Sequence, residues 1–466
     1  VQGARKLFGT AGVRGITNID ITPELVLKLA SAYAMYLKKI QGSKRLKLAV
    51  GHDTRYGAQM LAQAAAAGIQ SAGADVVLYR NITTGGISVN MLHANLNGGV
   101  LITGSHMGPD RIAFIALLAD GAYAPVEVTD QIENLYANLP GRIELAKANQ
   151  VGQMVQDLTH HKVYIKEILS RIDVKGIASK GFKILVDPAN GAAGPVIKRF
   201  FRALGCWLKV INGTARPIPA RLAEPRAQTV GKATKAVTRY NCDLGICLDT
   251  DADRVLFIDE QGIPISEDTV GALFVDKLLN KDDVCVTPIN SSGLIEQVCR
   301  QKGVKLEYCR IGQPPTVQAI KRFGARFAYE ESGKYYFCTH YRFADGIFAG
   351  GKLLQILAST GLKLSQLVQR LPKFYQIKSV IDVTEDQKEE LMEKIEGLWQ
   401  TNLLEERERD LTLDGLKRIY KDCSWLLIRK SGTEPLIRVY SDAPSLDRAR
   451  ELVTRGRELV LKAAKL

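Results

Sequence analysis

The sequence predicts an α/β protein: three successive α/β domains followed by a smaller α+β domain. Three observations carry that prediction. Apolar strand-like runs alternate with helical periodicity, the alternation restarts twice, and its grammar changes near Lys373. In the first stretch, Leu25–Leu37 reads as helix, Leu46–Gly51 as strand, Gln59–Ala72 as helix, and Val76–Leu78 and Gly99–Thr103 as strands. The pattern restarts at Lys183–Val186, turns at Asp187-Pro188-Ala189-Asn190-Gly191, and continues through a helix to strands at Trp207–Ile211 and Leu244–Leu248. It restarts again with a helix over Asp268–Leu279, strands at Val284–Pro288 and Lys305–Cys309, and helices from Ser292 and over Pro315–Arg322. After Lys373 a strand at Ser379–Thr384, a helix over Glu385–Leu398, a hairpin of Ser424–Arg429 with Leu436–Ser441 and a last helix from Ser445 describe a different, smaller unit. The expected domains are 1–154, 155–256, 257–372 and 373–466.

Size and composition agree. The chain has 466 residues, more than one hydrophobic core usually organises, and its 46% hydrophobic and 24% charged content is that of ordinary globular proteins. No apolar run approaches the ~18 residues of a membrane span, and the opening Val1-Gln2-Gly3-Ala4-Arg5-Lys6 lacks the apolar stretch of a secretory signal. A cytoplasmic enzyme with no membrane partner is expected. Eight cysteines, scattered from Cys206 onward without CxxC pairs, argue against zinc and read as buried reduced thiols. The net charge of +14 suits anionic small substrates. The basic residues read as dispersed and are not interleaved with stacking aromatics, which argues against nucleic acid as partner.

Among the chemistry-bearing segments, Asp249-Thr250-Asp251-Ala252-Asp253-Arg254 directly after an apolar strand is the strongest. In an extended segment the alternation aims all three carboxylates to one side, a set of hard oxygen ligands suited to Mg²⁺ with positions left for a phosphate. A lone D-x-D-x-D also reads as a solvated acidic turn, but the buried strand and Arg254 weigh against that here. No Gly and distal Glu follow at EF-hand spacing. Thr103-Gly104-Ser105-His106 stands at the carboxyl end of a buried strand, where α/β sheets present active loops. The Ser105 hydroxyl there can accept a phosphoryl group opposite a metal, although Ser-His in a loop is often only turn chemistry. Arg429-Lys430-Ser431-Gly432-Thr433-Glu434-Pro435, closing with Arg438, reads as a phosphate cradle on a hairpin, or as a basic surface turn. Glu330-Glu331-Ser332-Gly333-Lys334 offers acceptors for sugar hydroxyls, though paired glutamates in a loop are usually just solvated.

In this order, together with Leu7-Phe8-Gly9-Thr10-Ala11-Gly12-Val13-Arg14-Gly15 and Gly51-His52-Asp53-Thr54-Arg55, the motifs resemble the α-D-phosphohexomutases over essentially the whole chain. The resemblance implies a heart-shaped enzyme of four domains, the first three with mixed sheets, with the active site in the central cleft. It implies a Mg²⁺-dependent intramolecular phosphotransferase that converts hexose 1-phosphate and hexose 6-phosphate, glucose or mannose, through a phosphoserine and a bisphosphorylated sugar, which also serves as activator. Carried over by motif, Ser105 would be the phosphoserine, beside His106. Asp249, Asp251 and Asp253, with a phosphoserine oxygen, would hold Mg²⁺. Arg254 would contact the transferring phosphoryl group and Arg14 would stand beside the reacting hydroxyl. Glu330 and Ser332 would bind sugar hydroxyls, and Arg429, Ser431, Gly432 and Thr433, with Arg438, would hold the other phosphate.

Three positions depart from the family pattern. Where such enzymes continue with Asn-Pro and a Gly-x-Lys whose lysine serves as acid/base, this chain runs Met107-Gly108-Pro109-Asp110-Arg111-Ile112-Ala113-Phe114-Ile115, so Ile115 takes the lysine position. Arg111 offers a charge there but is a poor proton carrier. Lys334 stands where the family has His or Gly and could replace the lost cation. The Gly-Asp element that reads a sugar hydroxyl appears as Arg310-Ile311-Gly312-Gln313-Pro314-Pro315, without the acid. Two other functions remain open at this level: a phosphoserine-dependent sugar phosphatase, and a catalytically silent homologue that binds sugar phosphates or nucleic acid. So does oligomeric state, monomer or homo-oligomer.

Overall fold

Four β-sheets organise the computed structural model, which describes residues 6–9, 11–42, 45–138, 145–399, 407–432 and 434–464. The chain divides into two compact units. The first comprises 1–266, 312–318 and 332–366; the second comprises 267–311, 319–331 and 367–466.

The first sheet of unit 1 runs, edge to edge, Val13–Ile16, Arg111–Leu118, Gly98–Thr103, Lys47–His52, Asp75–Tyr79 and Met154–Gln156. Its centre is parallel, while Arg111–Leu118 pairs antiparallel with both Gly98–Thr103 and Val13–Ile16, giving the expected mixed sheet. Strands buried on both faces need continuous apolar runs, which Gly-Gly-Val-Leu-Ile-Thr and Arg-Ile-Ala-Phe-Ile-Ala-Leu-Leu supply. The helices Pro23–Gln41 and Ala58–Ser71 cover one face; Thr22 caps the former by accepting from the Leu25 N–H, and Pro23 opens it where a missing N–H costs nothing.

The second sheet orders Pro264–Ile265, Val255–Ile258, Leu244–Leu248, Lys183–Asp187 and Trp207–Val210. Helix Gly194–Ala203 places Val196, Ile197, Phe200 and Phe201 inward and Lys198, Arg199 and Arg202 outward, the amphipathic spacing of a surface helix. Leu244–Leu248 and Val255–Ile258 form an antiparallel hairpin whose connection is the aspartate loop.

Two expected domain edges fall inside strands. Residue 154 opens the strand Met154–Gln156, which pairs with Asp75–Tyr79 of the first sheet, and residue 256 lies within Val255–Ile258 of the second. The first is a three-residue, wholly exposed strand with no periodicity to read; the second follows a polar turn that resembles a boundary.

Unit 2 holds a parallel array of Lys305–Cys309, Val284–Pro288 and Phe327–Glu330, and an antiparallel five-stranded sheet ordered Tyr375–Asp382, Leu436–Ala443, Trp425–Lys430, Leu416–Tyr420 and Arg407–Leu411. The last two strands were absent from the sequence expectation; their Arg-Glu-Arg-Asp-Leu and Leu-Lys-Arg-Ile-Tyr runs are too charged to read as strand. The two parts share buried polar contacts: Asp442 accepts from Ser292 Oγ at 3.0 Å and Gly293 N at 2.9 Å, and Lys417 Nζ donates to the Ile289 carbonyl at 2.7 Å. None of the eight cysteines forms a disulfide and seven are buried, as expected of reduced thiols. No helix among the described residues is long and apolar enough to cross a membrane.

Candidate active site

Ser105 follows the strand Gly98–Thr103 in a left-handed conformation, φ +43°, which costs a non-glycine residue energy and is retained only where its surroundings hold it. Arg55 holds it. The guanidinium lies beneath the loop and donates to the Ser105 carbonyl at 2.6 Å, to that of Met107 at 2.8 Å, and to Gly108. A Cβ on Gly104 would stand 2.6 Å from Arg55 Nε, so this close approach requires glycine. Thr250 Oγ1, from the aspartate loop, donates to the same Ser105 carbonyl at 2.6 Å and joins the two loops.

The Ser105 hydroxyl points at the carboxylates, 3.0 Å from Asp249 Oδ2, with His106 Nδ1 3.4 Å away. Asp249, Asp251 and Asp253 converge, one oxygen from each lying within 4.8 Å of the others, and all three are buried. Their convergence corrects the expected extended geometry. Residues 249–254 form a tight hairpin connection with Ala252 at φ +59° and its N–H 3.3 Å from the Asp249 carbonyl, so a turn and not period-2 alternation gathers the carboxylates. The Arg254 N–H donates back to Asp249 Oδ1 at 3.1 Å. From below, Arg221 pairs with Asp187 at 3.0 Å and donates to the Leu248 carbonyl at 2.6 Å, fixing the strand end from which the loop springs.

Crowding shows in the ionisation of the three acids. Burial, then repulsion from its neighbours, pushes Asp249 well up, and the same two causes raise Asp251. Asp253 is held below the ordinary carboxylate range against its burial, because Lys334 and Arg254 face it. The Thr103 hydroxyl lies 2.8 Å from Asp53 Oδ2 and 3.0 Å from Asp251 Oδ2, and its one proton cannot serve both. Asp251 Oδ1 and Asp253 Oδ1 are buried without a hydrogen-bond partner. Oxygen ligands of this kind, orphaned and mutually repelling, fit a hard divalent cation.

The cations face the same point. Arg254 pairs with Glu224, and its Nε lies 4.0 Å from Asp253 Oδ1; Lys334 Nζ lies 2.7 Å from Asp253 Oδ2 and 2.8 Å from Gln313 Oε1. Burial lowers Arg14, with Arg254 contributing, while Tyr123, Asp253 and Asp251 offset part of the effect. Burial, then Arg254, Arg14 and Lys334, drive His106 down to about 3, so its imidazole is neutral. Ile115 is buried in an apolar cluster with Met107, Ala11 and Tyr123 and carries no charge to the site. Lys334 Nζ stands 5.7 Å from the centre of the Tyr123 ring, beside that cluster. Arg111 is exposed at the start of its strand.

Among the described residues, five of the remaining expected ones lie in unit 2: Glu330, Arg429, Ser431, Gly432 and Arg438. Arg429 and Arg438 are register partners on adjacent strands; Arg438 donates to Ser431 Oγ at 3.2 Å, Arg429 reaches Asp414 at 3.3 Å, and Gly432 is exposed at the turn. Thr433 lies outside the described residues. The Glu330–Lys334 segment, read as one loop, is divided: Glu330 and Glu331 belong to unit 2, Ser332 and Lys334 to unit 1. Glu331 bonds Asn290 and Lys378, whereas Ser332 Oγ is buried without a hydrogen-bond partner.

Arg55, Asp53, Thr103, Thr250 and Arg221 had no role in the sequence reading. A buried arginine beside an aspartate in Gly-His-Asp-Thr-Arg was the available signal. The charge is also less dispersed than it read: residues 171–243 hold fourteen Lys and Arg against four Asp and Glu, ten of the chain's fourteen excess positive charges. Arg221 is among them.

Comparison with known proteins decides the family. Residues 5–141, 162–262, 266–375 and 381–459 match, in order, the alpha/beta/alpha domains I, II and III and the C-terminal domain of Phosphoglucomutase/phosphomannomutase. The chain belongs to the phosphoglucomutase/phosphomannomutase family. It is 35% identical to a Phosphoglucomutase/phosphomannomutase of Thermococcus kodakarensis, over 99% of each chain. It is 31% identical to a Phosphoglucosamine/phosphogalactosamine mutase of Sulfurisphaera tokodaii, over 98% of this chain and 99% of the other. A family protein from Burkholderia thailandensis shares the fold, with a TM-score of 0.85 at 23% identity over 98% of each chain. The enzyme is therefore a phosphohexomutase, an intramolecular phosphotransferase, and the expectations of an α/β fold with mixed sheets and a terminal antiparallel sheet hold.

Proposed function

We propose that this mutase interconverts hexose 1-phosphate and hexose 6-phosphate, with glucose and mannose phosphates as substrates, through a phosphorylated Ser105. One observation carries the reading: the Ser105 hydroxyl is presented in a strained loop 3.0 Å from Asp249, at the mouth of the three-carboxylate cluster. Asp249, Asp251 and Asp253 would hold Mg²⁺ with a phosphoserine oxygen as fourth ligand. When bound, the cation neutralises phosphoryl oxygens and lessens their repulsion of the incoming hydroxyl.

The chain's own groups do the rest. The phosphoserine P–O bond to Ser105 breaks as a sugar hydroxyl oxygen bonds to phosphorus, and the proton that this hydroxyl loses ends on the freed Ser105 Oγ, leaving a serine hydroxyl and a bisphosphorylated sugar. After that sugar turns over, its other phosphate returns to Ser105 Oγ. Arg254, Lys334 and Arg14 supply positive charge against the transferring group, and Arg55 and Thr250 keep Ser105 in line. His106, neutral and 3.4 Å from Ser105 Oγ, positions the hydroxyl. Lys334 takes over the charge that Ile115 cannot bring. The Ser332 hydroxyl, buried without a hydrogen-bond partner, suits a sugar hydroxyl, and Glu330 is assigned the same kind of contact by its motif alone. Arg429, Ser431, Gly432 and Arg438, with Thr433 by its place in the motif, would hold the phosphate that does not react, and the bisphosphorylated sugar is the activator that loads Ser105.

That the relative from T. kodakarensis is a phosphoglucomutase/phosphomannomutase supports glucose and mannose phosphates here, while the phosphoglucosamine/phosphogalactosamine mutase of S. tokodaii points to hexosamine phosphates. Phosphorus NMR on glucose, mannose and glucosamine 1-phosphates, with Mg²⁺ and a trace of bisphosphate, tests the proposal. Formation of the 6-phosphates supports it and ranks the sugars. Glucosamine 6-phosphate alone would replace the assigned sugars, and inorganic phosphate alone would make the protein a phosphatase.

A further inference from the structure

The outer strand of the first sheet, Met154–Gln156, is exposed along its whole length, with Met154 47%, Val155 53% and the following Leu158 79% exposed. Its inner edge is fully used: Gln153 O accepts from Val76 N at 2.8 Å, and Asp157 N donates to Leu78 O at 3.1 Å. In a parallel pair, alternate residues bond inward, so the backbone groups of Val155 share that ladder and those of Met154 and Gln156 point away from the sheet.

Other outer strands carry the devices that keep edges from pairing. Arg407–Leu411 bears four charges, Trp207–Val210 and Lys305–Cys309 bear lysines, and Pro264–Ile265 is two residues long and begins with proline. Met154–Gln156 has none but its shortness, and no charged residue occurs anywhere from Ala148 to Gln156. In a chain of net charge +14, this edge sets no like charges face to face: the ion pair that bonds to its segment, Arg45 to the Val151 carbonyl and Asp75 to the Gln153 N–H, is neutral as a pair.

We propose that Met154–Gln156 is a self-association edge, on which a second copy of the chain pairs antiparallel about a two-fold axis through Val155. The axis fixes the register. Met154 of each copy faces Gln156 of the other as a hydrogen-bonded pair, four backbone bonds in all, and the two Val155 side chains meet in the closer, non-hydrogen-bonded position. The two six-stranded sheets become one of twelve. Three strand spacings, roughly 14 Å, separate this edge from the strand that carries Ser105, so the site is not disturbed.

Sedimentation velocity of the full chain from 1 to 100 µM, on the order of typical dimer affinities, tests the assembly, and V155C tests the register. Directly opposed non-hydrogen-bonded residues have Cα atoms about 4.5 Å apart, within disulfide reach, whereas the two Met154 positions lie two residues out of register. The expected result is a dimer, crosslinked on oxidation by V155C and not by M154C. Val155→Lys, which opposes two ammonium groups, and Gln156→Pro, which removes an outward N–H and leaves the home ladder intact, should weaken the dimer at least about tenfold with circular dichroism and phosphate transfer unchanged. A wild type that stays monomeric at 100 µM overturns the proposal, as does a dimer indifferent to both variants or crosslinked equally by M154C. So does a wild type that remains monomeric while pairing with some other protein.

Discussion

Lys334 Nζ lies 2.7 Å from Asp253 Oδ2, and both side chains are buried, so the ammonium neutralises the carboxylate that would otherwise stand charged among two others. Removing one partner of such a pair leaves an uncompensated buried charge, a loss of about 3–5 kcal/mol. In Lys334→Met the deficit should appear in urea unfolding with EDTA and shrink when Mg²⁺ occupies the carboxylates. Turnover should fall as well, because the charge that replaces a strand lysine is gone. An unfolding midpoint equal to wild type in EDTA would show that Lys334 does not compensate Asp253.

Ser105→Ala removes the oxygen that carries the phosphoryl group and leaves the carboxylate cluster in place. Activity should drop by at least about a thousandfold, and phosphorus NMR of the protein incubated with a sugar bisphosphate should show no phosphoserine signal. Metal affinity, read by Mn²⁺ electron paramagnetic resonance, should fall only slightly. A variant that still interconverts the sugars at a tenth of the wild-type rate would place the phosphoryl carrier elsewhere.

How far the site was legible depended on whether its chemistry was local in sequence. Ser105 at a strand end and three aspartates in six residues announce themselves, and the alternating apolar runs give the α/β order. Convergence of the aspartates was foreseen for the wrong reason, since a turn made by Ala252 at φ +59° does what extension was expected to do. Arg55 lies fifty residues before the loop it clamps, and its role depends on packing that no spacing reveals. Lys334 was visible as a substitution, but its partner Asp253 lies 81 residues earlier. The charged strands from Arg407 to Tyr420 escaped notice because ion pairs such as Arg418 with Asp410, at 2.9 Å, replace the apolar pattern that usually marks strands.

Arg55 touches carbonyls of the Ser105 loop and acts on Ser105 through them. Arg55→Lys keeps the charge but not the fork that reaches Ser105, Met107 and Gly108 together. A loop displaced by about 1 Å costs on the order of a hundredfold in turnover. The split should be kcat down with KM nearly unchanged, and amide exchange of residues 104–108 should quicken. Equal losses in kcat/KM through KM alone would make Arg55 a substrate contact and not a positioning residue.

In unit 2, Lys417 is fully buried between the rings of Tyr308 and Trp425, its Nζ 4.4 and 4.3 Å from their centres. Burial brings its pKa down to about 7, while burial, then Asp268, pushes Asp442 up to about 7. The two act on opposite sides of neutrality. Asp442, raised on folding, contributes stability that is complete below its unfolded pKa of about 3.9 and is lost as pH rises to about 7. Lys417, lowered on folding, contributes stability that is complete above about 10.4 and is lost as pH falls to about 7. The pair therefore makes neutral pH the low point of its own contribution. Urea unfolding followed by tryptophan fluorescence at pH 7.5, 8.5 and 9.5, on the alkaline side of that window, should show wild-type stability rising relative to Lys417→Met by up to about 1.4 kcal/mol per pH unit. The comparison is a difference because buried thiols such as Cys242 and Cys423, pushed up to about 11 by burial, lower the stability of both proteins alike as pH rises. Lys417→Met cannot titrate and supplies the baseline, even though the freed Ile289 carbonyl lowers its stability throughout. An equal pH dependence in the two would mean that Lys417 enters the fold still charged, beside the ionised carboxylate of Asp442.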